Sequence, residues 1–186
     1  KAYRVEDTDG SFLGVLFADF FPREGKKGGA WMTDYRGEHA DIPSSQPVNN
    51  ANSVRPVVSL TTNFSKPTAD TPSLLTISEV ETLLHEFGHT LHGLFAMSHY
   101  EALSGTNVFW DFVELPSQFM ENFSTEPEFL ATFARHYQTG EPLPASYIDA
   151  LRAARQFQAG YQCLRQLSFG FLDMAFYDRE TPLTDN

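Results

Sequence analysis

The sequence predicts an α+β fold that is mainly helical, with a small antiparallel sheet at its N-terminal end. Within residues 1–65, short apolar runs alternate with stretches rich in Gly, Pro and Ser, a pattern typical of strands and turns. From residue 76 onward, apolar residues recur at helical spacing between capping signals. We therefore expect a β-rich part, 1–65, followed by a helical part, 76–186.

Composition limits the class of protein. The 186 residues suffice for one well-buried domain, and 13 basic against 24 acidic residues give a formal net charge of -11. This charge argues against nucleic acid and anionic membranes as partners, although solubility alone explains it more simply. The single cysteine, Cys163, permits a reducing compartment, and no apolar run approaches a membrane span. We expect a cytoplasmic protein, of which this chain, beginning at Lys1, is an excised segment.

Three strands are predicted in the β-rich part. Residues 11–21 and 30–35 are strand-like, and the Gly- and Lys-rich stretch 22–29 between them indicates a hairpin. Residues 41–53 form a loop, because they are rich in Pro, Ser and Asn. Residues 55–64 form the third strand. Its edge could bind an extended peptide, but completing a small sheet is the simpler interpretation.

The helical part begins at a capping signal. Thr76 followed by Glu79 fits a capping box, and the apolar spacing predicts a helix to about Met97. Residues 99–109 break this spacing with Ser, Gly, Thr and Asn, so they are predicted to form a loop.

Four further helical segments are predicted. Residues 110–123 form the first, with Pro116 tolerated in its first turns. The second spans 124–140, and Pro144 opens the third. Residues 155–179 supply a long final helical region.

The helix that begins at Thr76 carries His-Glu-x-x-His at residues 85–89. His85 and His89 lie about 40° apart on one face and one turn apart, so both imidazoles can bind one zinc ion. Glu86 lies about 100° round from His85, where its carboxylate can reach a water on the metal as a general base. The alternative is a core helix with hydrogen-bonded histidines. Apolar flanks favour a site shielded from water: Leu83, Leu84, Phe87, Leu91, Leu94 and Phe95.

A zinc ion that keeps one position for water needs a third protein ligand. The metzincin arrangement requires a histidine where this chain has Phe95, which excludes that class. His92 lies near the same face, but a third ligand one turn further along a straight helix would be pulled away from the metal. We therefore predict that His92 supports the ligands or belongs to the core.

A carboxylate from the following helix is the remaining candidate. Asp111, Glu114, Gln118 and Glu121 recur at spacings of three and four and form one polar stripe, which is usually a solvated face. Apolar neighbours instead indicate a mostly buried helix with an acidic seam: Phe112, Val113, Leu115, Phe119 and Met120. Glu114 is central in the seam and is predicted to be the third ligand. Asp111 and Glu121 are predicted to accept hydrogen bonds from the imidazoles.

Several motifs together resemble a known family. The stretches 85–95 (HEFGHTLHGLF), 103–107 (LSGTN) and 111–118 (DFVELPSQ) resemble the signature of the thimet oligopeptidase family of zinc peptidases. Residues 19–26 (DFFPREGK) extend the resemblance, and 134–174 is most similar to the bacterial peptidyl-dipeptidase branch. The resemblance implies that the whole chain is part of one zinc metallopeptidase catalytic domain, the helical core of which is of the zincin type.

The resemblance also implies an activity. His85, His89 and Glu114 would bind one zinc ion, and Glu86 would activate the water. A channel between two lobes would admit short unstructured peptides. The expected reaction is zinc-dependent hydrolysis of peptide bonds in short peptides, with release of C-terminal dipeptides.

Substrate contacts are implied at two places, the strand 55–64 and the loop residues Ser104, Gly105 and Thr106. Family members are several times longer, and their tyrosine and histidine donors to the tetrahedral intermediate lie C-terminal to the matching segment. An alternative hypothesis is therefore a zinc-stabilised peptide-binding fragment that is inactive in isolation. A third is a structural segment without zinc.

Overall fold

The computed structural model describes residues 1–181, in which one four-stranded sheet precedes a series of helices. The strands are β1 (Ala2–Glu6), β2 (Phe12–Asp19), β3 (Trp31–Arg36) and β4 (Val57–Thr61). Their order across the sheet is β1-β2-β4-β3. The prediction of an α+β fold with a small N-terminal sheet is confirmed.

The position of β4 corrects the predicted sheet. The hairpin between 11–21 and 30–35 is wrong, because β4 lies between β2 and β3 and pairs with both. Since β4 runs parallel to β2 and antiparallel to β3, the sheet is mixed and not antiparallel. Val58 and Leu60 explain this placement, because the central position buries both almost completely. β4 therefore has no free edge for a peptide.

The helices occupy the rest of the described chain. They are α1 (Ile77–Leu94), α2 (Trp110–Val113), α3 (Leu115–Glu121), α4 (Pro127–Phe133), α5 (Ala145–Gln156) and α6 (Ala159–Tyr177). Short 3-10 turns span Glu101–Leu103 and Asn122–Thr125. Within residues 1–181, none of the helices combines the length and the apolar character that crossing a membrane requires.

Helix α1 begins where the capping box predicts. The Thr76 hydroxyl accepts a hydrogen bond from the Glu79 N–H at 3.2 Å, and the Glu79 carboxylate accepts one from the Thr76 N–H at 2.8 Å. The helix ends at Leu94, before the predicted Met97. Arg55, two residues before β4, donates a hydrogen bond to the terminal carbonyl of Leu94 at 2.5 Å.

The predicted helix 110–123 is divided in two at Glu114, where the backbone has φ -86° and ψ -5°. Pro116 accounts for the break, because it has no N–H to donate to the preceding turn. The expected burial is also wrong: Trp110 is 93% exposed and Phe119 is 60% exposed. Helix α3 packs on α1 along one side only, and the other side faces outward.

Two further helical segments are shorter in the structure than predicted. The segment 124–140 forms a 3-10 turn and then α4, which ends at Phe133. The chain then turns through Gly140, which has φ +74°. The region 155–179 is interrupted by Gln158, which has φ +55° and separates α5 from α6. Pro144 precedes α5, as predicted.

Helix α1 joins the two parts of the molecule. It packs on β2, β3 and β4 on one side and on α3 on the other. The core beneath it is formed by apolar residues of the sheet and of α1, namely Leu13, Ala18, Val58, Leu60, Phe64, Leu84 and Leu94. The His-Glu-x-x-His segment is therefore held between the sheet and α3.

Gly88 sets the distance between α1 and α3. A Cβ atom at this position would lie 2.5 Å from the carbonyl oxygen of Pro116 and 2.5 Å from the Cα of Ser117. Because both are backbone atoms, α3 would have to move. We expect Gly88→Ala to lower the free energy of unfolding by about 1–3 kcal/mol in urea denaturation.

Gly170→Ala is the matched control, because Gly170 lies within α6 and a Cβ there meets nothing within 4 Å. This substitution is expected to stabilise the chain by about 0.5–1 kcal/mol. Equal stabilisation by both substitutions would contradict the proposed close contact.

Candidate metal centre

Helix α1 and Glu114 bring three potential ligand atoms together. The Nε2 atoms of His85 and His89 each lie 3.2 Å from Oε2 of Glu114. One ligand atom from each residue lies within 4.8 Å of the other two. Tetrahedral zinc with bonds of about 2.0–2.1 Å needs ligand atoms about 3.3 Å apart. The residues present therefore fit a zinc ion, and the structure brings the three predicted side chains together.

The carboxylate of Glu114 is held from its own helix junction. Ser117 lies three residues further on, and its Oγ is 2.6 Å from Glu114 Oε2 and 3.0 Å from the Glu114 carbonyl oxygen. The hydrogen bond from Ser117, followed by the nearby histidines, holds the pKa of the Glu114 carboxyl below its usual value. Sequence reasoning missed Ser117. Its spacing of three from a candidate ligand was the available signal.

Of the two carboxylates predicted to accept hydrogen bonds from the imidazoles, only Glu121 contacts one. Glu121 Oε1 lies 2.7 Å from His85 Nδ1, which is the arrangement that fixes the orientation of a ligating ring. Asp111 lies exposed in α2, and within residues 1–181 it forms no hydrogen bond with either imidazole. The Nδ1 of His89 is buried, and no side chain or backbone group of the described chain pairs with it.

Glu86 points to the sheet side of the candidate ligands. It is 8% exposed, and burial raises the pKa of its carboxyl, against the effect of the charge on His85. Its neighbour along the helix, His89, has its pKa lowered by burial. The carboxylate is therefore a stronger base than an exposed glutamate, and burial favours the neutral form of the His89 imidazole, which is the form that binds a metal.

His92 lies outside the ligand group. Its ring packs edge-on against Phe112 at 6.0 Å between centroids, and its buried Nδ1 has no partner within the described chain. Burial lowers the pKa of this imidazole. The role predicted for His92, in support of the ligands or in the core, stays a prediction.

One cavity of about 340 Å³ contains the candidate ligands and Glu86. Its remaining lining comes from the start of β3, from the loop before α2 and from α2 itself: Ala30, Trp31, Met32, Thr106 and Val113. The strand 55–64, expected to line the channel, does not border this cavity. Strand β4, which is part of this segment, lies inside the sheet and is covered by α1. The edge strand β3 borders the cavity instead.

The structure separates the three residues of the predicted substrate loop. Thr106 faces the metal cavity, and its hydroxyl donates to Oδ2 of Asp34 at 3.2 Å. Ser104 is 3% exposed, and with Gly105 it borders a different, mainly apolar cavity between α1 and α3. Only Thr106 can therefore contact a substrate that lies over the ligands.

Metallopeptidases of the His-Glu-x-x-His class present two imidazoles from one helix and keep a carboxylate beside them. Helix α1 and Glu114 have this arrangement, which is typical of that class of protein. Residues 1–185 match the sequence profile of Peptidase family M3, and the chain belongs to that family. This confirms the resemblance to the thimet oligopeptidases.

Curated relatives cover nearly the whole chain at similar levels of identity. Oligopeptidase A of Escherichia coli (strain K12) is 42% identical over 183 residues, which are 98% of this chain and 26% of that protein. Dipeptidyl carboxypeptidase of the same strain is 41% identical over 177 residues, 95% of this chain and 24% of that protein. Organellar oligopeptidase A of Arabidopsis thaliana is 40% identical over 185 residues, 98% of this chain and 23% of that protein. The chain thus spans about a quarter of the length of these relatives, and its placement in the peptidyl-dipeptidase branch stays a prediction.

Proposed function

We propose that this chain supplies the zinc-binding and water-activating part of a peptidase for short peptides. The convergence of two Nε2 atoms on Glu114 Oε2, each at 3.2 Å, carries the proposal. His85, His89 and Glu114 would hold the zinc ion. Zinc at this position would polarise the scissile carbonyl and make a water molecule more acidic.

Glu86 is the general base of the proposed reaction. It lies in the same cavity as the ligands without belonging to their group. Its carboxylate would take a proton from the attacking water and pass it to the leaving amine. Burial supports this role, because a raised pKa makes the carboxylate a better proton acceptor.

The free edge of β3 would hold the peptide. β3 is the outer strand of the sheet, and Trp31 and Met32 border the metal cavity. An extended peptide can add to such an edge through backbone hydrogen bonds, which places one of its carbonyls over the ligands. Thr106 and Val113 would enclose it from the opposite side. The name of the relative dipeptidyl carboxypeptidase supports release of C-terminal dipeptides as the mode of cleavage.

Removal of the metal is the direct test. We expect about one zinc ion per chain, cleavage of short peptides that stops when a chelator removes the metal, and recovery on adding zinc back. Metal analysis measures the zinc content, and chromatography of the peptide products measures the cleavage. His89→Ala should lose the zinc, whereas His136→Ala, at an exposed position in the loop after α4, should keep it. Cleavage that survives complete removal of the metal would contradict the proposal.

The second candidate function is a zinc-stabilised peptide-binding module. The chain spans about a quarter of its relatives, and α6 is exposed along its whole length, which favours a segment without the full catalytic machinery. Calorimetry with a short peptide separates the two functions. Zinc-dependent binding without products supports the module, and zinc-dependent products support the enzyme.

A further inference from the structure

Ser117 occupies the contact between the two helices that carry the candidate ligands. It lies in the first turns of α3, its side chain is 0% exposed, and its Cα faces Gly88 of α1. Since Gly88 has no side chain, the backbone of α3 approaches α1 closely at this point. The position of the Ser117 hydroxyl is therefore fixed relative to His85 and His89, which flank Gly88.

The Ser117 hydroxyl is directed at the candidate ligand oxygen. Its Oγ is 2.6 Å from Glu114 Oε2, and Oε2 is the atom that both imidazoles approach. The hydroxyl has a single proton, and the short distance and charged acceptor favour donation to the carboxylate over the Glu114 carbonyl at 3.0 Å.

Glu114 needs such support because little else restrains its carboxylate. The side chain is 48% exposed, and it projects from the junction between two short helices. Within residues 1–181, only Ser117 and the two imidazoles form a hydrogen bond or an ion pair with the Glu114 carboxylate. Without the hydroxyl, the carboxylate can rotate toward solvent.

We propose that Ser117 is a positioning residue that holds the Glu114 carboxylate toward the metal. The close contact of Ser117 with Gly88 fixes the hydroxyl, and the hydroxyl fixes Oε2 between the imidazoles. This inference rests on the proposed zinc site and adds a role for a residue that touches neither metal nor substrate. It predicts that metal affinity depends on one buried hydroxyl.

The test compares two buried serines. Ser117→Ala is expected to weaken zinc binding about 10–100-fold in competition with a chromophoric chelator. Ser124→Ala is the control, because Ser124 is also 0% exposed but its hydroxyl contacts Glu81 at 3.3 Å, away from the ligands. Zinc affinity of the control should stay within about twofold of the original. Equal zinc affinities of Ser117→Ala and the original chain would overturn the proposal.

Two further measurements separate positioning from a general loss of structure. The visible spectrum of the cobalt-substituted chain should change in Ser117→Ala, because the carboxylate binds with altered geometry, and should not change in Ser124→Ala. Ser117→Thr keeps the hydroxyl and should retain most of the affinity. If Ser117→Thr is folded by circular dichroism but binds zinc as weakly as Ser117→Ala, the hydroxyl is not responsible.

A double-mutant cycle keeps this inference distinct from the proposed function. In a chain that already carries Glu114→Gln, Ser117→Ala should cause little further loss of zinc affinity, because the carboxylate it positions is gone. Additive losses would assign Ser117 a purely structural role and overturn the inference. Failure of the original chain to bind zinc would instead overturn the proposed function itself.

Discussion

Replacing Glu86 with Gln is expected to lower the rate of peptide hydrolysis by a factor of about 10²–10⁴ while zinc stays bound. The amide has the size of the carboxylate and fits the same site, where Glu86 is 8% exposed. It cannot accept the proton of the attacking water. The candidate ligands His85, His89 and Glu114 remain intact, so metal content should be unchanged. The turnover rate on a short chromogenic peptide and the zinc content of the same preparation measure the two effects.

Glu79→Gln provides the control on the same helix. Glu79 is half-buried in the first turn of α1, and a glutamine there can still accept the hydrogen bond from the Thr76 N–H. Its turnover rate should match that of the original chain. Two results would contradict the assignment of Glu86: full activity of Glu86→Gln with zinc retained, or loss of zinc together with activity.

The two candidate histidine ligands were predictable because their relative position depends on local geometry. His85 and His89 lie on one face of any α-helix, and the capping box at Thr76 sets where that helix begins. The acidic spacing made Glu114 a candidate, but its selection also used an expected burial of the helix that the structure does not show. The pairing of His85 with His89 depends on residues four positions apart, within which helical geometry determines relative positions.

Two wrong predictions, the hairpin and the burial of the helix 110–123, concern contacts between distant parts of the chain. The predicted pairing of β2 with β3 needs only a turn between them. In the structure β4 lies between these two strands, because the central position buries its apolar residues. The exposed side of α3 was mistaken for a buried one because Phe119 and its neighbours are apolar. Local spacing determines neither the order of the strands in a sheet nor the side on which a helix packs.

The hydrogen bond from Ser117 to Glu114 depends both on local spacing and on a contact between distant parts of the chain. Ser117 stands three residues from Glu114, so local geometry allows their hydrogen bond. The burial that fixes the Ser117 hydroxyl comes from Gly88, on another helix. Sequence periodicity therefore identifies the ligands of the site more readily than the residues that hold them in place.

Arg55→Met is expected to lower the free energy of unfolding by about 3–5 kcal/mol. Arg55 is 5% exposed, and its Nη1 lies 3.8 Å from Oε1 of Glu38, which is 1% exposed. Arg55 also donates to the carbonyl oxygens of Leu94 at 2.5 Å and Ala96 at 3.1 Å, at the C-terminal end of α1. The substitution leaves the Glu38 charge buried without its partner and removes the donors to the two carbonyls. Chemical denaturation followed by circular dichroism measures the change.

Two further variants identify the buried charge as the cause. Arg4→Met removes an exposed arginine that pairs with Glu6 and should be nearly neutral. Adding Glu38→Gln to Arg55→Met should recover part of the loss, because no uncompensated charge then stays buried. The part that is not recovered includes the loss of the hydrogen bonds to the carbonyls of Leu13, Leu94 and Ala96. Since α1 also carries His85 and His89, zinc affinity should fall along with this remaining part, and unchanged stability of Arg55→Met would contradict the argument.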